Sequence, residues 1–210
     1  MKPSPARHSA LDERDRRVHE AVHALLAEQG MRLSMDAVAA RAGCSKQTLY
    51  SRYGNKQNLL RQVMQEHVEE TGTHLQVDDR PPREALLAFA LGHLQKLECP
   101  DVIRSCRLID AQAHRFPEQA RQIYQDGAQS LQQRLADWMQ AAIDRGQLRR
   151  DNPHFLAELL LSMIVGLDFE RQRFHVPHRT IPEDRRRWAE FAVDSFLRAF
   201  SADTFPHSNL

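Results

Sequence analysis

Apolar residues recur at three- and four-residue spacing along almost the whole chain. Leu11, Val18, Ala21, Val22, Leu25 and Leu26 form the first stripe, and Gly30 follows it where a C′ glycine would stand. Ser34 is placed to cap the segment MDAVAARA, Asp36 suits its first turn, and Gly43 ends it. Ser45 caps KQTLYSRY, Gly54-Asn55 breaks the pattern, and Lys56 to about Leu75 reads as a longer helix. Residues 78–83 (DDRPPR) are charged and rich in proline, the best candidate for a domain boundary. Beyond them the helical spacing returns over 83–98, 100–114, 117–145 (with Gly127 as the point of any bend), 153–174 and 183–200. Pro100, Pro117 and Pro153 sit where a helix starts. Residues 1–8 read as a basic arm, 175–182 as a loop with two prolines, and the end as a polar tail. No apolar/polar alternation bounded by turn dipeptides marks a strand. The pattern predicts an all-α chain of about nine helices. A small three-helix domain at 9–56 would precede a larger helical domain at 57–205.

Composition narrows this little, but the distribution of charge adds something. Of 210 residues, 41% are hydrophobic and 27% charged, ordinary proportions for a globular protein. Residues 1–60 hold ten Lys/Arg against six Asp/Glu, whereas the remainder is mildly acidic. A basic first third suits an anion-binding module on a neutral body. Cys44, Cys99 and Cys106 form no CxxC pair, so they give no disulfide framework and fit a reducing cytoplasm. The first seventeen residues contain no apolar core of a signal peptide, and Glu158 and Ser162 interrupt the longest apolar run, 155–165. The expectation is a cytoplasmic protein with no membrane partner. There is no GxSxG, Walker loop, GxGxxG or HExxH, so the chain is not expected to be an enzyme and no cofactor is implied. Asp168, Glu170 and Arg171 read as ordinary helix-end charges.

Residues 34–53 (SMDAVAARAGCSKQTLYSRY) fit two short helices crossing through a tight turn. Ala39 supplies the small residue where the helices touch, and Gly43 the residue tolerant of positive φ. Val38, Ala42 and Leu49 face inward. Lys46, Gln47, Thr48, Ser51 and Arg52 are left pointing outward on the second helix. Such a helix can enter a major groove, with short polar side chains on base edges and Lys or Tyr on phosphates. The helix starts at Ser34 and Lys56 offer further N–H groups to phosphate.

The wider string Arg17, Ala21, Leu25, Gly30, Ser34, Val38-Ala39, Ala42-Gly43, Ser45, Thr48-Leu49-Tyr50, Tyr53-Gly54, Lys56 and Leu59 resembles the DNA-binding domain of the TetR/AcrR family. Cys44, Tyr53 and Gln57 depart mildly from the family pattern, which commonly has Val, Phe and Glu there. The resemblance implies double-stranded operator DNA as partner. It places Ser34 and Lys56 on phosphates, Ser45 and Lys46 at the opening of the recognition helix, and Gln47, Thr48, Ser51 and Arg52 at the groove. Tyr50 and Tyr53 would pack or reach the backbone. Gln47 and Arg52 can both bond bidentately, so they are the candidates for base specificity.

The string RLIDAQAHRFPEQARQIYQDG, with LADWMQAAIDRGQLRRDNPHFLAELLLSMIVG after it, is similar to the C-terminal domain of AefR-type members. That implies a repressor-like scaffold that responds to a small molecule. Phe89, Cys106, Ile109, Phe116, Tyr124 and Trp138 are candidates for an apolar effector pocket. The segment from Phe155 to Leu167 is apolar nearly all round, which predicts burial on more than one face. Leu156, Leu159, Leu160 and Met163, with Phe191 and Phe196 from the last helix, are the candidate homodimer interface. Two readings compete. His19/His23 at i, i+4, or His175/His178, would suit a metal-responsive regulator, although no carboxylate or cysteine stands beside either pair at familiar ligand spacing and no metal is expected. A helical protein-interaction module without DNA readout would keep the fold alone, which Lys46, Arg52 and Lys56 argue against.

Overall fold

The structure, a computed structural model, describes residues 5–75, 80–176 and 178–202. Among the described residues eleven α-helices follow one another: α1 (Pro5–Gln29), α2 (Met35–Ala42), α3 (Lys46–Tyr53), α4 (Lys56–Gly72), α5 (Pro82–Leu97), α6 (Pro100–Gln112), α7 (Pro117–Tyr124), α8 (Ser130–Asp144), α9 (Pro153–Val165), α10 (Asp168–Arg173) and α11 (Pro182–Phe200). Among the described residues the nearest approach to a strand is an isolated bridge between Leu148 and Ser201.

The nine expected helices become eleven because two of them break. The segment 117–145 is interrupted by a π-helical turn, Gln125–Gln129, around Gly127. The segment 153–174 breaks at Gly166, whose φ of +53° and closeness to the Trp188 ring leave no room for a Cβ. The first helix begins at Pro5, so residues 5–8 of the expected arm are helical. Residues 1–4, positions 78 and 79 of the expected boundary, Pro177 of the 175–182 loop and the tail from 203 lie outside the described residues. Six of the described helices open on proline, at 5, 82, 100, 117, 153 and 182, where the missing N–H would have no intrahelical partner.

The chain divides into two compact units. The first takes the chain through Glu66 together with Cys99–Asp126, so α6 and α7 pack with α1–α3 and the start of α4. This differs from a division at 56/57, because α6 lies along α1. The core of this unit combines Val18, Val22, Leu25 and Leu26 of α1 with Val38 and Ala39 of α2, Leu49 and Tyr53 of α3, and Leu59 and Val63 of α4.

The second unit takes His67–Glu98 and the chain from Gly127. Here α5, α8, α9 and α11 pack around Leu86, Phe89, Leu135, Met139, Leu156, Leu160, Val193 and Phe196. Arg83 of α5 forms a two-pronged ion pair with Asp194 of α11, at 2.7 and 3.0 Å. No helix among the described residues is long and apolar enough to cross a membrane.

This packing corrects part of the expected dimer interface. Leu156, Leu160 and Phe196 are fully buried in the unit's own core and have no surface to give a partner. Leu159 and Phe191 are exposed at 41% and 59%, Met163 is half-buried, and Phe155 is exposed beside them in the α9 register.

Candidate nucleic-acid interface

Local sequence builds the α2–α3 pair as the small, apolar and capping positions require. Ser34 Oγ accepts the Ala37 N–H at 3.2 Å, and Ser45 Oγ accepts the Thr48 N–H at 3.1 Å. Between them Gly43 takes a left-handed φ of +64°, and the chain turns back with the Cys44 N–H on Ala39 O. On α3, Leu49 and Tyr53 lie one turn apart and are buried against α1 and α2. A helix advances about 100° per residue. Gln47 and Ser51 therefore project opposite Leu49 and Tyr53, with Lys46 and Tyr50 on one flank and Arg52 on the other. Lys46, Gln47, Tyr50, Ser51 and Arg52 are all exposed.

The other candidates are engaged within the fold. The Ser34 and Ser45 hydroxyls cap helices, and Thr48 is half-buried with its hydroxyl 2.8 Å from that of Ser45. Tyr53 is core, and its phenol donates to Asp15 Oδ1 at 2.8 Å. Burial, together with that hydrogen bond, pushes the phenol's pKa far up, so it stays protonated. Lys46 pairs with Asp36 at 2.6 Å, both largely exposed. Surface pairs of this kind contribute at most about 1 kcal/mol and yield readily to a phosphate. Arg52 is held more firmly, its Nη2 on Asp15 Oδ2 at 2.7 Å and its Nε on Oδ1 at 3.4 Å.

Lys56 is half-buried at the start of α4, and its ammonium donates to Met31 O at 2.6 Å. Burial lowers its pKa from the ordinary lysine value. Gln112 of α6 grips the same turn, accepting the Met31 N–H at 2.8 Å and donating to Gln29 O at 3.1 Å. Gly30 is needed between them, because its φ is +58° and a Cβ would meet Gln112 Oε1 at 2.8 Å. Lys56 thus has a structural duty besides the two N–H groups it can still turn to a phosphate. Lys56→Ala should shrink the salt slope of DNA binding by about one unit. It should also lower unfolding stability by about 1 kcal/mol through the lost hydrogen bond. Salt titration and urea melting of the same variant separate the two effects.

Of the candidate effector residues, Phe89 and Trp138 are buried in the core of the second unit, whereas Cys106, Ile109 and Phe116 are half-buried, and Tyr124 exposed, in the first. The first unit instead has a cleft of about 60 Å³ between α4 and α7, lined by Lys56, Leu60, Met64, Gln119, Ile123 and Asp126. Pockets for drug-sized ligands are roughly 300–1,000 Å³, so this cleft is too small to hold one as it stands. His19 Nδ1 is bonded to the Glu66 carboxylate, and His175 and His178 are exposed. Among the described residues no three His, Cys, Asp or Glu side chains are grouped to hold a metal ion.

Sequence reading missed three of these residues. Asp36 reads in the sequence only as a favourable first-turn charge, and Gln112 carries no local signal. Asp15 does carry one. It stands four residues after Leu11 and three before Val18, so it puts a carboxylate in the register of the α1 apolar stripe.

Two capped short helices, an inward apolar pair and an outward polar row define a helix-turn-helix protein of the DNA-binding class. Residues 20–63 match the family model for bacterial regulatory proteins of the tetR family, and residues 84–202 match that for the C-terminal domain of AefR-like transcriptional repressors. The chain belongs to the TetR family of transcriptional regulators, with an AefR-like C-terminal domain. It is 24% identical over 194 residues to the HTH-type transcriptional regulator YvkB of Bacillus subtilis (strain 168), covering 90% of this chain and 98% of that one. Among solved structures, the flavonoid-responsive regulator FrrA is 28% identical with a TM-score of 0.68, covering 90% of this chain and 98% of its own. A TetR-family regulator from Mesorhizobium loti MAFF303099 shares the fold at 24% identity and a TM-score of 0.71, covering 90% and 96%.

Proposed function

We propose that two copies of this chain bind a pseudo-palindromic duplex operator as a repressor in the cytoplasm, and that a small, largely apolar molecule releases it. The observation that carries the reading is the exposed row Lys46, Gln47, Tyr50, Ser51 and Arg52, set on a short helix fixed from behind by Leu49 and Tyr53. Gln47 and Arg52 supply paired donors or acceptors for base edges, and Lys46 and Lys56 supply charge for phosphates. Phe155 and Leu159 of α9 and Phe191 of α11 leave apolar surface for a two-fold contact, in which α9 and α11 of each copy form a four-helix interface. A two-fold dimer presents its recognition helices to half-sites about one helical turn apart.

The responsiveness of FrrA to flavonoids makes planar aromatic molecules the first effectors to try. Release requires that the effector bind a non-operator geometry more tightly than the operator-competent one. The α4–α7 cleft is a place where such a geometry opens apolar surface, since Leu60, Met64 and Ile123 already line it.

Selection of bound duplexes from a random pool, with and without a panel of flavonoids and other aromatic compounds, tests the proposal. A palindromic consensus that is lost with one compound class is the expected result. Failure to enrich any sequence at low salt would overturn DNA readout.

A further inference from the structure

Asp15 of α1 and Arg52 of α3 are 37 residues apart, yet the carboxylate meets the guanidinium with both oxygens. The contact uses the Nε and Nη2 edge of the guanidinium. Arginine has five N–H donors in a planar fork, so its outer edge, formed by the two terminal nitrogens, stays available. That outer edge is the one that meets an acceptor pair such as O6 and N7 of guanine.

Asp15 is itself fixed. Its side chain is only 22% exposed, against 57% for Asp36 in the neighbouring Lys46 pair. The buried Tyr53 phenol donates to it from one residue further along α3. Burial alone would raise the Asp15 carboxyl, but hydrogen bonds from Arg52 and Tyr53 outweigh it and hold the group below its usual range. The Arg52 guanidinium is shifted up by the same contact. A carboxylate held in the register of an apolar stripe is an unfavourable choice for α1 on its own, because desolvating a charge is costly unless it is paired. The pairing comes from Arg52 and from the Tyr53 phenol.

We propose that Asp15 is a specificity-determining residue of the DNA interface: it holds Arg52 by one edge and offsets its charge, so that Arg52 meets DNA as an oriented hydrogen-bond donor and not as a free counter-ion. Without Asp15, Arg52 becomes a mobile cation that any phosphate satisfies. Non-specific binding then strengthens while discrimination falls. This rests on the reading of Arg52 as a base-contacting residue.

The test is a salt titration by fluorescence anisotropy on the selected operator and on a scrambled duplex of equal length. Wild type, Asp15→Asn, Asp15→Ala, Arg52→Ala and the Asp15→Asn/Arg52→Ala double variant are compared. Asp15→Asn keeps an acceptor for Tyr53 and so carries the test if Asp15→Ala fails to fold. Asp15→Asn is expected to tighten binding to scrambled DNA several-fold and to steepen the salt slope by about one unit. The operator-to-scrambled ratio should drop about five-fold or more, the low end of one bidentate contact. In the Arg52→Ala background the same substitution should leave the ratio unchanged. If Arg52→Ala lowers the ratio and Asp15→Asn does not, or if the Asp15→Asn effect persists without Arg52, the role of Asp15 is overturned while the base-reading role of Arg52 stands. A ratio unmoved by Arg52→Ala overturns both.

Discussion

The double substitution Leu159→Glu/Phe191→Glu should give a folded monomer whose affinity for a two-half-site operator is about 10²–10⁴-fold lower than that of the parent. Both side chains are exposed within one chain and neither belongs to the core cluster of its own unit. In a two-fold contact each new carboxylate meets its own copy or a neighbouring one, and burying like charges together is strongly unfavourable. Losing the dimer turns the second half-site contact from an intramolecular event into an independent one. The neighbouring position provides the control. Leu160 is fully buried, so Leu160→Ala should lower unfolding stability by about 2–5 kcal/mol through the lost packing and the cavity left behind. It should leave the folded fraction dimeric. Light scattering on a sizing column reads the assembly, and urea melting reads the stability. A double glutamate variant that stays dimeric would show that α9 and α11 are not the contact.

Adjacent residues with opposite assignments show where sequence reading reaches its limit. The apolar run of α9 predicts burial on more than one face, yet within the chain only one face, Leu156, Ala157, Leu160 and Ile164, is buried, and the run could not say which face that would be. Leu156 and Leu160 turn to α5, α8 and α11 in the same chain, whereas Phe155 and Leu159 do not. That division depends on how four helices pack, and the periodicity of one helix does not contain it. The helix-turn-helix was more legible because its determinants are local. Ser34, Gly43 and Ser45 each act within three or four residues through a cap or a left-handed turn. The breaks at Gly127 and Gly166 were harder. Glycine marks a possible break but leaves open whether the chain bends, forms a π turn or restarts.

The candidate site was legible in outline and hidden in its supports. Which α3 residues face outward follows from helical spacing once Leu49 and Tyr53 are taken as inward. Which outward residues are already engaged does not. The duties of Ser34 and Ser45 as caps could be read locally, but the Arg52–Asp15 and Lys56–Met31 contacts close loops of 37 and 25 residues. The six effector candidates are hard to sort for the same reason. An apolar stripe on a middle helix is compatible with core or with pocket, and Phe89 and Trp138 proved to be core.

Arg52→Ala should relax sequence preference at one position of each half-site while leaving the fold intact. The guanidinium is about half exposed, and its ion pair with Asp15 contributes little to stability once solvent screening is counted. Asp15 also keeps its bond from Tyr53 in the variant, so the carboxylate is not stranded. Against DNA the effect is larger. One good bidentate contact discriminates by about 1–3 kcal/mol, roughly 5- to 150-fold, and a two-fold dimer makes it twice. Gln47→Ala should behave alike at a different base pair, because Gln47 stands five residues earlier on α3 and projects from another side of it. The two losses should be close to additive if the side chains read separate bases. Binding of each variant to the operator and to duplexes with single base-pair changes measures this directly. A base-reading Arg52 makes the variant indifferent to changes at one symmetric pair of positions. If affinity instead falls equally on every duplex and the salt slope shrinks by about one unit, Arg52 is a phosphate ligand and Gln47 is left as the reader.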